Sequence, residues 1–302
     1  MAVSADHAAG PRLMAGADRL GAPAGAGRLK ALLPRRPGSI LLCLLGLLAL
    51  AAAVAPSWLT PYHPTQIDAR SLLQPPSWKH WLGTDELGSD VLARILYGTR
   101  LEVAIAMGSV ALAALVAVPA GLLAGYRGGR ADYALTIVAD AILSFPIVLF
   151  AVMVVASLGA SLGTLIGVLG IVFVPRIFRL VRGQTQVLTE QGFVRSARSM
   201  GAGTGDILLR HILPNILGPI MVIVPQLMAV AILIEAGLSF IGLGVQPPQI
   251  SWGSLMLVSK NYYVSAIWYP LSVGAVTTIA SAALVFAGDM AGNAINPDRR
   301  TS

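Results

Sequence analysis

The chain has 302 residues, 56% of them hydrophobic and 12% charged, with a mean hydropathy of +0.75. A water-soluble domain of this length does not combine so much apolar surface with so little charge, so the composition places the chain among integral membrane proteins. A formal charge of +7 suggests nucleic acid, but the cations are dispersed between apolar runs instead of forming one basic face.

Residues 1–38 are rich in Ala, Gly and Pro with scattered Arg and have no apolar period, so a disordered tail is expected. Six segments are long and apolar enough to cross a bilayer: 39–55, 103–125, 133–157, 162–181, 216–240 and 268–288. Their length without period-2 alternation argues against an outer-membrane barrel and for an all-α fold. Arg35 and Arg36 before the first run, with Ala51-Ala52-Ala53 after it, resemble a signal peptide; the long basic leader favours an uncleaved span. Cys43 lies inside that span and has no second cysteine with which to pair.

A loop of about residues 56–100 follows. Pro56, Pro61, Pro64, Pro75 and Pro76 forbid a long helix in its front half. Further on, Ser89 is a candidate N-cap for a short helix with Asp90 in its first turn and Gly98 as terminator. The third and fourth spans form a hairpin about a glycine-rich turn. Residues 159–163 match Gly-x-Ser-x-Gly, but a helical turn with no histidine in the segment is the wrong context for a Ser161 nucleophile.

Between the fourth and fifth spans lies a polar island, residues 190–215. Its pattern predicts a helix over 190–200 capped by Thr189, with Phe193, Ala197 and Met200 at i, i+4, i+7 and Arg195, Arg198 and Ser199 turned elsewhere. Gly201-Ala202-Gly203 breaks it, and Thr204 and Asp206 open a second helix ending at Arg210 and His211, before Pro214. Such an island either rests on lipid headgroups or docks a soluble partner. A second loop, 241–267, carries Gln246-Pro247-Pro248 and Ser251-Trp252-Gly253.

With the N-terminus in the cytoplasm, 16 of 21 Lys and Arg fall on the inner side, which fixes the expected orientation with both termini inside. Trp58, Trp78, Trp81, Trp252 and Trp268 then fall on or near the outer side. Asp140, Glu235 and Asp289 lie in or beside spans, where they either line a solute path or lock helices together. Glycine pairs at 121/125, 163/167 and 288/292 have the spacing of close helix approach.

No phosphate-binding Gly-x-x-x-x-Gly-Lys-Ser/Thr loop and no His-Glu-x-x-His occur, and His7, His63, His80 and His211 are scattered. The chain is therefore read as a non-enzyme with no cofactor of its own. Two other classes fit parts of the sequence. An ion-driven secondary transporter would use Asp140 or Glu235 as its proton site, and a membrane hydrolase would use Ser161.

At the island the chain resembles the permeases of binding-protein-dependent ABC importers. Their cytoplasmic loop pattern, Glu-Ala-Ala, three residues, Gly, nine residues, Ile-x-Leu-Pro, is met here by Arg195-Ser196-Ala197, Gly201 and His211-Ile212-Leu213-Pro214. Ala197, Gly201, Leu213 and Pro214 match, while Arg195, Ser196 and His211 depart from the pattern. Residues 80–98, which include Thr84, Asp85 and Asp90, resemble a hallmark of the dipeptide/oligopeptide/nickel group, as do residues 140–146 and 235–248. The arrangement is similar to the second, "C"-type permease of the pair over about residues 39–299.

The resemblance implies a type I importer fold of six helices: a first span and outer loop over 39–99, a five-helix core over 100–290, and a tail over 291–302. Residues 183–214 would be the coupling loop, with Phe193, Arg195, Ser196, Ala197, Arg198, Met200 and Gly201 at an ATPase groove. Thr84, Asp85, Asp90, Gln246 and Trp252 would belong to the outer side, toward a solute-binding protein. The implied partners are a homologous second permease and two cytoplasmic ATPases that bind ATP and Mg. The solute would be a dipeptide or oligopeptide, with nickel chelates and glutathione as alternatives, and the site a bacterial inner membrane.

Overall fold

A computed structural model describes residues 51–52 and 54–295. The expected tail, most of the first span, Cys43 and the end of the chain lie outside the described residues. Among those described the protein is all-helical, with one isolated bridge, Thr84 to Asp90, in a loop.

Four helices are long and apolar enough to cross a membrane, and a bent pair provides a fifth crossing if its halves act as one span. Helix α1 is Val91–Arg127, α2 Gly129–Leu143, α3 Ile147–Leu158 and α4 Leu162–Thr189. They are followed by α5, Gly192–Ser199; α6, Thr204–Phe240; α7, Trp252–Ser259; and α8, Trp268–Ile295. Most of the first expected span, 39–55, falls outside the described residues.

Several expected boundaries move, each for a local reason. Asp90, not Ser89, caps α1, because its Oδ1 accepts from the Ala93 N–H at 2.7 Å. Gly98 does not end a short helix. The helix runs on through the second expected span for 37 residues, and Gly98 supplies a close approach, since a Cβ there would meet the Trp252 indole at 3.3 Å. The third expected span breaks into α2 and α3, bent by 80°. The cause is Ser144-Phe145-Pro146: Pro146 donates no N–H, and its ring drives Phe145 out of the helical region. Ser161 caps α4, its Oγ accepting from the Thr164 N–H at 3.1 Å, which gives that serine a structural task.

Helix α4 is the centre of the fold. Leu165, Leu169, Phe173 and Ile177 are fully buried, and α1 covers most of that surface. The two helices approach closely because large side chains on each sit over glycines on the other. Ile166 lies over Gly108, Leu112 over Gly170, Val181 over Gly121 and Thr185 over Gly125. In a bilayer, where lipid is as apolar as leucine, this complementarity is a main source of helix association. Gly288 and Gly292 serve α8 in the same way against Val222 of α6, whereas Gly167 faces open space.

Gly125→Leu is therefore expected to separate α1 from α4. Its Cβ would stand 2.6 Å from the Arg182 carbonyl oxygen and 2.7 Å from the Thr185 Cβ, and backbone cannot yield as a side-chain tip does. Overpacking of this kind costs about 1–3 kcal/mol. Thermal unfolding of the detergent-solubilised protein measures it, and a midpoint equal to wild type would refute the packing assignment.

Candidate functional site

The island forms differently from its sequence pattern. Helix α5 spans eight residues, and Gln191 occupies the N-cap position. Thr189 closes α4 instead, its hydroxyl donating to the Thr185 carbonyl at 2.8 Å. The second expected helix is not separate. Thr204 begins α6, which continues through a π-helical stretch, Ile207–Ile212, and past Pro214 into the span. Pro214 donates no N–H and would crowd the carbonyl four residues back; the wider turn just before it accommodates both.

The inward face of α5 is Val194 and Ala197, which join Ile207, Leu208 and Ile212 in one buried cluster. Val194 lies off the apolar period of the sequence. Phe193, placed with Ala197 by that period, is 43% exposed, and Met200 is 82% exposed. Ser196 and Ser199 are also outward. Arg195 binds Glu190 at 2.6 Å in the open, and the Arg198 guanidinium lies 5.3 Å from the Tyr126 ring centre. Beyond the helix, Gly201 takes φ +85°. The Gly201 N–H donates to Arg198 (3.0 Å) and the Ala202 N–H to Ala197 (3.1 Å), a Schellman closure. His211 is half-buried at 4.0 Å from Asp206, which also holds Arg210 at 3.1 Å. Leu213 is partly buried and Pro214 exposed. The result is a short, stiff, amphipathic helix whose exposed apolar side chains suit a protein surface, packed directly on the first turns of a span.

The charges within spans sort into three kinds. Asp140 on α2 meets Arg179 on α4 at 2.5 Å, with both side chains 53% exposed. About two helical turns earlier on α2, Asp132 grips Arg182 in a forked pair whose second bond is 2.8 Å. These two pairs tie α2 along α4. Asp289 on α8 is exposed and, among the described residues, takes only a long 3.4 Å bond from Gln226 on α6. Glu235 is fully buried, and with it Glu102 of α1, a residue passed over at the edge of an apolar run.

The loop before α1, residues 56–90, folds on its own polar groups. Thr84 is buried, donating to the Ser71 carbonyl and accepting from the Gln74 N–H at 2.8 Å. Asp85 is completely buried and accepts from the Leu87 and Ser89 N–H groups at 2.9 and 2.8 Å while pairing with Arg94. Asp90 adds a 2.9 Å bond to His80 to its capping bond. Burial pushes the neighbouring Glu86 carboxyl above its ordinary range, whereas the Arg70 N–H and the Ser71 hydroxyl hold exposed Asp68 below it.

Of the loop residues singled out by sequence, Thr84, Asp85, Asp90 and Trp252 are thus internal struts, and Gln246 is exposed. Trp252 is 4% exposed and anchors α7 to α1, its indole N–H donating to the Ile95 carbonyl at 3.0 Å.

Residues 117–301 match the family of binding-protein-dependent transport system inner membrane components. A putative peptide transport system permease protein of Brucella suis biovar 1 is 39% identical over 267 residues, covering 88% of this chain and 89% of that protein. A glutathione transport system permease protein of Pectobacterium atrosepticum is 39% identical over 221 residues, 73% of each chain. A structure of the MetNI methionine ABC transporter in inward facing conformations superposes with a TM-score of 0.53 at 21% identity, covering 68% of this chain and 96% of that one. At that identity the superposition bears on the fold alone.

Proposed function

The chain belongs to the binding-protein-dependent transport system inner membrane components, the permeases of ABC importers, and we propose that it forms half of a pathway carrying short peptides or glutathione inward. Relatives named for peptide and for glutathione transport support that solute class; nickel chelates use similar permeases. The proposed assembly adds a homologous second permease, two ATPases that bind ATP and Mg, and a solute-binding protein on the outer face. The distribution of Lys and Arg supports cytoplasmic termini and a cytoplasmic α5.

One observation carries the coupling role. Helix α5 offers Phe193 and Met200 outward while Val194 and Ala197 seat it on the base of α6. A push on α5 therefore passes into a span through packed side chains, without slack. Two packed arrangements biased by a ligand bound elsewhere are what alternating access requires.

Asp140 and Arg179 are proposed to face the pathway. Both are half exposed among apolar helices, and an ionised residue facing lipid at a span centre costs roughly 2.5–3.5 kcal/mol on insertion scales. A watery cavity removes that cost.

Reconstitution tests the whole reading. Proteoliposomes holding both permeases, the ATPases and the binding protein are expected to accumulate labelled peptide only with ATP. Uptake by this chain alone on an ion gradient would overturn it. In the complete system Asp140→Asn should slow uptake several-fold with the complex intact, and an unchanged rate removes the pair from the pathway.

A further inference from the structure

Glu102 and Glu235 come from different helices, and their meeting point is shut off from solvent. They are 1% and 0% exposed. Glu102 Oε1 accepts the Trp252 backbone N–H at 2.8 Å, and Glu235 Oε1 accepts the Ser239 hydroxyl at 2.6 Å. Ser239 in turn lies 3.5 Å from the hydroxyl of Ser251, the N-cap of α7. Three elements, α1, α6 and the start of α7, thus converge on two carboxyl groups.

The remaining oxygens, Glu102 Oε2 and Glu235 Oε2, are both buried and receive no hydrogen bond from any donor among the described residues. Both carboxyls reach the same turn, Glu102 on the Trp252 N–H and Glu235 through Ser239 beside Ser251. Neighbouring cations are committed elsewhere. Arg94 binds Asp85 with Glu86 at 4.0 Å, Arg100 donates to the Val54 carbonyl and lies over Tyr97, and Lys260 lies over Phe240. From α6 the pair is faced by Ser239 and from α7 by Ser251 and Trp252; α8 brings the buried phenol of Tyr269 to the Arg94 side. Among the described residues no three metal-ligating side chains gather.

Two carboxylates in that setting would repel through a low dielectric with nothing to offset them, and each would leave an oxygen unsatisfied. A single proton resolves both problems. It makes one group an O–H donor and the other its ionised acceptor, the stronger kind of hydrogen bond.

We propose that Glu102 and Glu235 are a proton-binding site that holds one proton between them and thereby clasps the start of α7 to α1 and α6. The proton is held in place, not carried across the membrane. Among the described residues the groups that surround the pair are serines and backbone, which offer no onward acid or base. The assignment is independent of which solute the importer moves.

The sign of its pH dependence follows from proton counting. Unfolded, both glutamates are ionised at neutral pH; folded, the pair retains one proton. Raising the pH therefore favours unfolding until that proton leaves. Glu102→Gln or Glu235→Gln replaces the proton with an amide N–H donor and removes the titration.

The test uses the complete importer in lipid nanodiscs. The infrared difference spectrum of wild type minus Glu102→Gln, and of wild type minus Glu235→Gln, should each contain a protonated-carboxyl C=O band that shifts in deuterium oxide. The wild-type melting temperature should fall more steeply from mildly acidic to alkaline buffer than that of either variant, since both variants keep the titration of Glu86. Absence of the band, as for a pair bridged by a metal cation, overturns the proposal; so does an equal pH slope in wild type and variants. If neither variant assembles, the wild-type melt decides alone, and a flat profile rejects the shared proton.

Discussion

Gly201→Val is expected to abolish ATP-driven uptake while the protein remains inserted and assembled with its partners. The residue closes α5 in the left-handed region at φ +85°, and a Cβ built there meets nothing within 4 Å. Size alone therefore predicts no effect from valine. Conformation predicts a large one, because an L-residue in that region costs roughly 1–2 kcal/mol and a β-branched one more. The chain avoids that cost by opening the Schellman closure, in which the Gly201 and Ala202 N–H groups bind the Arg198 and Ala197 carbonyls. The exit angle of α5 changes, and Val194 and Ala197 lose their seat on Ile207 and Ile212. Asparagine tolerates the left-handed region, so Gly201→Asn should retain most uptake and alanine should fall between. Normal uptake by the valine variant would reject the coupling assignment. Equal failure of Asn and Val would point to crowding in the ATPase groove instead.

Asp85→Ala is expected to be the most destabilising single change in the loop before α1. Asp85 is completely buried, and its two oxygens satisfy the Arg94 guanidinium and the N–H groups of Leu87 and Ser89. Removing the carboxylate leaves Arg94, 17% exposed, with only Glu86 at 4.0 Å, and frees two N–H groups in a turn with little access to water. Breaking one side of a buried pair costs about 3–5 kcal/mol, mostly from the charge left behind. Asp85→Asn keeps an acceptor for the turn and should lose less. Thermal unfolding of the assembled complex, with limited proteolysis of residues 56–90, reads the effect. A protease-resistant loop and a stability within about 1 kcal/mol of wild type would contradict the assigned role.

The contrast between these two sites shows where sequence reasoning reached and where it stopped. Gly201 was legible because a glycine after an amphipathic octet has a local cause, and helix capping acts within a few residues. Asp85 was singled out by resemblance, but its task was not legible: its pairing with Arg94 depends on how a proline-rich loop folds back upon α1. Helix ends moved for similar reasons. Asp90 displaced Ser89 as cap, and α6 ran unbroken through Pro214, because a π turn can relieve what proline rules usually forbid. Within α5 the expected apolar stripe divides, with Phe193 and Met200 outward and Ala197 inward beside Val194. A short helix offers several apolar stripes, and only the neighbouring surface selects among them.

The sequence by itself determined the class of molecule: apolar runs of bilayer length, few charges, and an island that resembles the permease pattern. These are properties of composition and spacing, set by the cost of placing polar groups in lipid. Only the tertiary structure decided which charges meet. Asp140 found Arg179, Asp132 found Arg182, and Glu102 and Glu235, more than a hundred residues apart, came to the same turn at the start of α7. Pairing across helices depends on rotation and depth to within a few ångströms, and no local period in the chain encodes either.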